Sequence, residues 1–134
     1  MFRLKSGKVK TLLLPVTPST VIAEGALVTT TSGLLVAATS STAANALVGV
    51  LKKAIAATDS DYATSRSVEV IVPMEKNCIF EFDVTASLVA ADVGLLIDLT
   101  DSVTANRAAS STDIIRVTKL ISTTKGQGIV QFTG

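Results

Sequence analysis

Ser67-Val-Glu-Val-Ile-Val-Pro73 decides the fold class. Val68, Val70 and Val72 fall on one side of an extended chain, with Glu69 and Ile71 on the other, which is the two-residue period of a half-buried strand. Asn77–Val84 continues the pattern, with Ile79 opposing the run Phe80, Phe82 and Val84. Upstream, Leu47–Ile55 is apolar on both faces. Ala26–Thr30 and Leu34–Ala38 flank Thr31-Ser32-Gly33, a short hairpin-like link. Leu95–Leu99, Ile114–Ser122 and Gly128–Phe132 complete the predicted strands, and a short strand is expected at Val9–Leu14. Ser40–Asn45 is a turn cluster and Thr58–Ser65 an exposed loop. Ala86–Val93 is the one candidate for a short helix or helical turn, with Ser87 to cap it and Gly94 to end it.

Composition agrees with a β-rich chain. Among 134 residues there are 25 Val and Ile and 18 Thr, types that favour strands. The chain is 48% hydrophobic and only 17% charged, with a net charge of +1. Such a balance gives no global attraction to nucleic acid or acidic membranes. Many strands have two apolar faces, so a barrel or a sandwich must bury them, or other subunits do. The expected architecture is therefore mainly β, with at most one short helix. The run Leu12–Leu14 is too short for a signal peptide. Gly25–Leu51 lacks charge, but eight of its 27 residues are Ser or Thr, which excludes a transmembrane helix.

Charge is unevenly distributed. Arg3, Lys5, Lys8 and Lys10 open the chain without an acidic residue, leaving eight basic against eleven acidic residues in the remainder. Gly7, Pro15 and Pro18 punctuate the same region. Residues 1–20 are expected to form an extended N-terminal arm, and residues 21–134 a β domain divisible into two subdomains, 21–73 and 74–134. The arm is either a frayed terminus or a clasp for a partner; in the second case Arg3, Lys5, Lys8, Lys10, Leu12, Leu13 and Leu14 carry the contact, with Leu12–Leu14 adding a strand to a partner edge. A faint echo also runs through the chain. Glu24-Gly-Ala-Leu-Val-Thr-Thr30, followed by Leu47-Val-Gly-Val-Leu-Lys52, is matched about 67 residues later by Asp92-Val-Gly-Leu-Leu-Ile-Asp98 and Ile114-Ile-Arg-Val-Thr-Lys119. A duplicated β motif or chance similarity among few residue types would each explain it.

Chemistry-bearing constellations are sparse. Histidine is absent, which removes the usual general base and the commonest metal ligand. The single cysteine, Cys78, permits no intramolecular disulfide and is expected to be a buried structural thiol. Asp59 and Asp61 lack the spacing of a calcium loop. Glu81 and Asp83 share one strand face, opposite Phe80 and Phe82, and are expected to meet solvent or a partner. Asp98 and Asp101 suit local backbone hydrogen bonds at a strand end. Lys125-Gly126-Gln127-Gly128 lacks the spacing and following helix of a phosphate loop, and is expected to be a tight hairpin. No catalytic residue, cofactor or metal is expected.

Glu24-Gly-Ala-Leu-Val28, Ser32-Gly-Leu-Leu-Val-Ala-Ala-Thr39, Leu47-Val-Gly-Val-Leu51 and Val68-Glu-Val-Ile-Val-Pro73, with the later Ala90-Ala-Asp-Val-Gly94 and Asp98-Leu-Thr-Asp-Ser102, resemble small head decoration (cement) proteins of tailed bacteriophages. The resemblance spans roughly residues 20–130. It implies a small β-barrel or β-tulip-like fold, a homotrimer, the major capsid protein as partner, and a place on the outer capsid after synthesis in the host cytoplasm. The stretch after Pro73 departs from the family in its length. Other readings are a different assembly component, such as a tail or head–tail junction protein or a cell-surface fibre subunit, and a small β-barrel enzyme or ligand-binding protein. The lack of histidine and of clustered polar groups argues against the last. Neither a membrane nor nucleic acid is an expected partner.

Overall fold

The computed structural model describes residues 1–132. Strands β1 (Arg3–Ser6), β2 (Val9–Pro15), β3 (Leu27–Thr31), β4 (Leu34–Ala37), β5 (Gly49–Leu51) and β6 (Ser67–Pro73) are followed by β7 (Ile79–Thr85), β8 (Leu96–Asp101), β9 (Thr104–Asn106), β10 (Ile115–Ser122) and β11 (Lys125–Val130). A 3₁₀ turn at Ala90–Asp92 is the only helical element among the described residues. The protein is mainly β, as its alternating pattern dictates.

The strands form two sheets. One has the order β2-β6-β5-β3-β4, and its outer strands meet at a parallel bridge, Val16 to Leu35. In the other, β7-β11-β10-β8-β9 closes on itself through parallel pairing of β9 with β7, giving a five-stranded barrel. β1 attaches to β7 beside β9. The two strand orders are the same order: β2 to β6 correspond one by one to β7 to β11.

The correspondence extends to single residues. In the first unit Leu27 faces Val50, which faces Ile71; in the second Leu96 faces Arg116, which faces Ile129. Gly25 N–H donates to Leu51 O (2.9 Å) and Leu51 N–H to Ala26 O (2.9 Å). Gly94 N–H donates to Val117 O (2.7 Å) and Val117 N–H to Leu95 O (3.0 Å). Both glycines hold positive φ, +74° and +93°, so a residue without Cβ suits the turn that launches β3 and β8. Val16 N–H donates to Arg66 O just as Val84 N–H donates to Thr124 O, and the parallel bridge Val16–Leu35 is matched by Val84–Ala105. A structural repeat therefore underlies the sequence echo, and one barrel motif occurs twice in tandem. The echo's match of Leu47–Lys52 to Ile114–Lys119 is one residue out of register, since Val50 corresponds to Arg116 and Leu51 to Val117.

The units share a core. Val16, Ile22, Val28, Leu35, Leu51, Ile55 and Val70 fill the first barrel. Phe80, Phe82, Val84, Ile97, Leu99, Ile115 and Val117 fill the second, and the same cluster takes in Phe2, Leu27, Leu47 and Val50. The outward face of β3 and β5 therefore packs into the second unit. Leu27 N–H donates to Ser102 O (2.7 Å) and Phe2 N–H to Gly25 O (2.9 Å) across the junction.

Several expectations require correction. Residues 1–20 are not a free arm: β1 pairs with β7 and β2 with β6, and Phe2 and Val16 are buried. The first unit accordingly begins at Val9, not at residue 21. Lys125–Gly128 is strand, not hairpin; the turn lies at Thr123–Thr124, and Gly126 and Gly128 are in β11 because Leu88 and Ile115 occupy the space of their missing side chains. Leu47–Ile55 yields only a three-residue strand: Lys52 N–H makes a last bond to Glu69 O (3.1 Å), and the chain then bends before Ile55 bridges to Ile22. Val89, not Ser87, precedes the 3₁₀ turn, and its N–H donates to Asp92 Oδ2 (2.8 Å).

Candidate docking surface

Most of the candidate acidic residues are tied into ion pairs within the fold. Arg66 bridges Asp59, at 2.7 Å, and Asp61, clasping the loop Thr58–Ser65. The guanidinium bond keeps the Asp59 carboxyl below the usual carboxylate range. Glu81 and Asp83 point outward together, as expected, but each is paired: Glu81 with Lys5 at 3.9 Å, Asp83 with Lys125 at 3.6 Å and with the terminal ammonium at 2.9 Å. Cys78 is buried beside the β1–β2 turn, where its Sγ lies 3.3 Å from Lys8 O and burial pushes the thiol pKa up. Among the described residues no three His, Cys, Asp or Glu side chains converge as a metal site.

Asp92 and Asp98 are buried carboxylates, and the sequence did not mark either as buried. Asp98 on β8 accepts hydrogen bonds from the N–H groups of Ser111, Thr112 and Asp113 and from Ser111 Oγ, all at 2.8–2.9 Å. Burial raises its pKa and these four donors outweigh that, so the net shift is downward. Asp92 accepts from Val89 N–H and from Arg107 Nε (3.0–3.1 Å), and the Val89 bond leads in lowering its pKa. Both fasten loops. Asp98 was expected to bond locally; its partners lie thirteen to fifteen residues away, a distance that spacing cannot reveal. The first unit does the same job with a hydroxyl: Thr29, at the position matching Asp98, donates to Ala46 O (2.7 Å).

The candidate partner residues divide among three places. Arg3 and Lys5 lie on β1 at the second barrel, Lys8 in the turn, and Lys10 to Leu14 on β2 of the first barrel. On β2, Leu14 packs toward the first core, Leu12 is half-buried, and Leu13 points outward, 66% exposed. β2 is also an edge strand. Val16 N–H donates to Arg66 O, and Met74 N–H to Lys8 O (2.8 Å), so the even-numbered residues bond to β6. By the alternation of an antiparallel ladder, the backbone groups of Val9, Thr11 and Leu13 point away from it. Beyond the Val16–Leu35 bridge no strand pairs with this edge among the described residues.

Other surface features are smaller. Val89, Val93, Leu95 and Ile121 are exposed on the loop before β8 and the end of β10. A cleft of about 340 Å³ lies between the units, lined by Pro73, Met74, Phe80 and Phe132 with Glu75 and Lys76. No helix among the described residues is long and apolar enough to cross a membrane. No protein-family model matches the chain, and no curated protein matches its sequence.

Proposed function

We propose that the protein is a structural component of a tailed-phage head: a capsid decoration (cement) protein that binds the outer lattice of the major capsid protein and stabilises the shell. The observation that carries this reading is the open edge of β2, with Leu13 exposed, on a pair of barrels that share a core. An unpaired strand edge bordered by an exposed leucine is a template for a partner strand. The resemblance of Glu24–Val28, Leu47–Leu51 and Val68–Pro73 to head decoration proteins names the class of partner. The buried carboxylates fit the same view, because each one fastens a loop: Asp98 holds Ser111–Asp113, and Asp92 holds Val89 and Arg107.

The test is direct. The purified chain is mixed with expanded heads stripped of their outer proteins, and the heads are sedimented and imaged. Binding at a regular lattice position, with a raised temperature of head disruption, is the expected result. Heads that neither bind the chain nor gain thermal resistance would remove the assignment and leave the tail and fibre readings. A homotrimer, which the resemblance implies, is tested in the same preparation by light scattering of the free chain.

A further inference from the structure

The repeat shows what the β2 edge lacks. The matching edge in the second unit is the first half of β7, and there it is filled: β1 runs antiparallel along it, with Arg3 opposite Glu81, Leu4 opposite Phe80 and Ser6 opposite Ile79. The registers of β2 on β6 and of β7 on β11 make Thr11, Leu12 and Leu13 the counterparts of Ile79, Phe80 and Glu81. Phe80, beneath Leu4, is 1% exposed and belongs to the core. Leu12, with no strand beside it, is only half-buried and belongs to neither core. The first barrel therefore has the seat of β1 without its occupant.

From this geometry we infer that the β2 edge binds an extended segment of another protein, running antiparallel to β2, apolar opposite Leu12 and Leu13 and acidic toward its C-terminal end. The direction and the apolar position follow from β1, whose Leu4 sits where the guest would meet Leu12. The charge follows from the host. In the second unit the edge residue is Glu81, and the guest strand brings Arg3 and Lys5 to it. In the first unit the edge residue is Leu13, and the charges farther along are Lys10 and Lys8, both exposed and neither in an ion pair among the described residues. An antiparallel guest passes Lys10 and then Lys8 as it runs toward its C-terminus. A second copy of this edge would bring the same lysines and would add like charge, so a partner with carboxylates fits better. Pro15 lacks an N–H and bounds the seat at the other end. That the guest belongs to a capsid subunit rests on the proposed function; the chemistry of the edge does not.

The probe is a fluorescent peptide, Val-Leu-Thr-Glu-Val-Glu, compared with Val-Leu-Thr-Lys-Val-Lys. The full chain should bind the acidic peptide at least about tenfold more tightly than the basic one, and the preference should shrink with salt. Amide exchange at Thr11 and Leu13 should slow when the peptide is present. Thr11→Pro removes an N–H that points away from β6, so the fold should persist by circular dichroism while peptide affinity falls about tenfold or more. Leu13→Lys, at an exposed position, should weaken binding by a smaller factor. Equal peptide binding by the folded Thr11→Pro chain overturns the inference. So does a wild-type dimer that Thr11→Pro converts to monomer, which would give the edge to a second copy. Head binding separates the two readings: peptide binding without head binding removes the assembly role and leaves the edge, whereas head binding with no peptide bound does the reverse.

Discussion

At one position of the repeat the first barrel has Val50 and the second has Arg116. Val50 is 2% exposed because its strand face packs into the second unit. Arg116 is exposed and donates from Nη1 to Gly94 O (2.7 Å). Its neighbours Leu96 and Ile129, counterparts of Leu27 and Ile71, remain half-buried. Two copies of one motif have thus been given opposite surfaces: one face seals the junction, the other meets water. The difference explains why the chain holds two barrels with a shared core, and not two beads on a linker.

The largest expected effect comes from breaking that asymmetry. Val50→Arg would place a charge in the shared core and should cost on the order of 3–5 kcal/mol, measured by denaturant unfolding. The reciprocal Arg116→Val should fold with little loss but associate at high concentration, visible by light scattering, because it uncovers an apolar sheet face. If Val50→Arg unfolds at the wild-type midpoint, the junction is not a shared core.

Acid should separate the units next. The buried carboxylates Asp92 and Asp98 occur only in the second; the first has Thr29 where the second has Asp98. Both carboxyls have folded-state pKa values below the ordinary 3.8. A depressed folded value means that the stabilisation is present above the unfolded pKa and is lost as pH falls through the folded one. Amide exchange in β8 and β10 should therefore accelerate below about pH 4, before that in β3 and β5. Asp98→Asn should cost about 2–4 kcal/mol at neutral pH and flatten this acid dependence. Uniform acceleration in both barrels would show that the carboxylates do not set the weak point.

How much of this was legible from the chain differs by element. Ser67–Pro73 was readable to the residue, because Val68, Val70 and Val72 all turn to the first core at the two-residue period of a strand. Gly126 and Gly128 were misleading: glycine usually signals a turn, but here it makes room in a strand for Leu88 and for Ile115. The repeat was faint because the two copies solve the same packing with different residues. On β5 and β6 the small residue is Gly49 and the large one Val70; at the matching places on β10 and β11 the large one is Ile115 and the small one Gly128. Pairwise compensation preserves volume and erases identity. The docking edge was visible only as three leucines; that Leu13 alone faces outward depends on the β6 register.

This exchange of small for large gives a smaller test. A Cβ at Gly128 would collide with Arg116 O and lie 3.0 Å from the Ile115 side chain. Gly128→Ala should cost about 1–3 kcal/mol by overpacking. Val70→Ala, at the matching place, should cost a similar amount for the opposite reason, since it leaves a cavity in the first core. A stabilised Gly128→Ala would mean that the two barrels are not packed alternatives of one motif.

The smallest effect lies where the chain leaves the first strand of each unit. Ser19 and Ser87 hold matching places and both adopt positive φ, +56° and +48°. The residue before them differs. Pro18 precedes Ser19, and proline is confined to negative φ. Ala86 precedes Ser87 and has φ of +66°, a region that costs an L-residue with a Cβ about 1 kcal/mol. The second unit must turn through two left-handed residues to send Leu88 under Gly126, where it is buried against Phe82. Glycine at position 86 would release the strain but would also loosen the unfolded chain, which offsets part of the gain. Ala86→Gly should therefore raise stability by less than about 1 kcal/mol, a shift of a few degrees at most in thermal unfolding. A loss of stability would place the cost of freedom in the unfolded chain above the strain, and the extra left-handed residue would then be no burden on the second barrel.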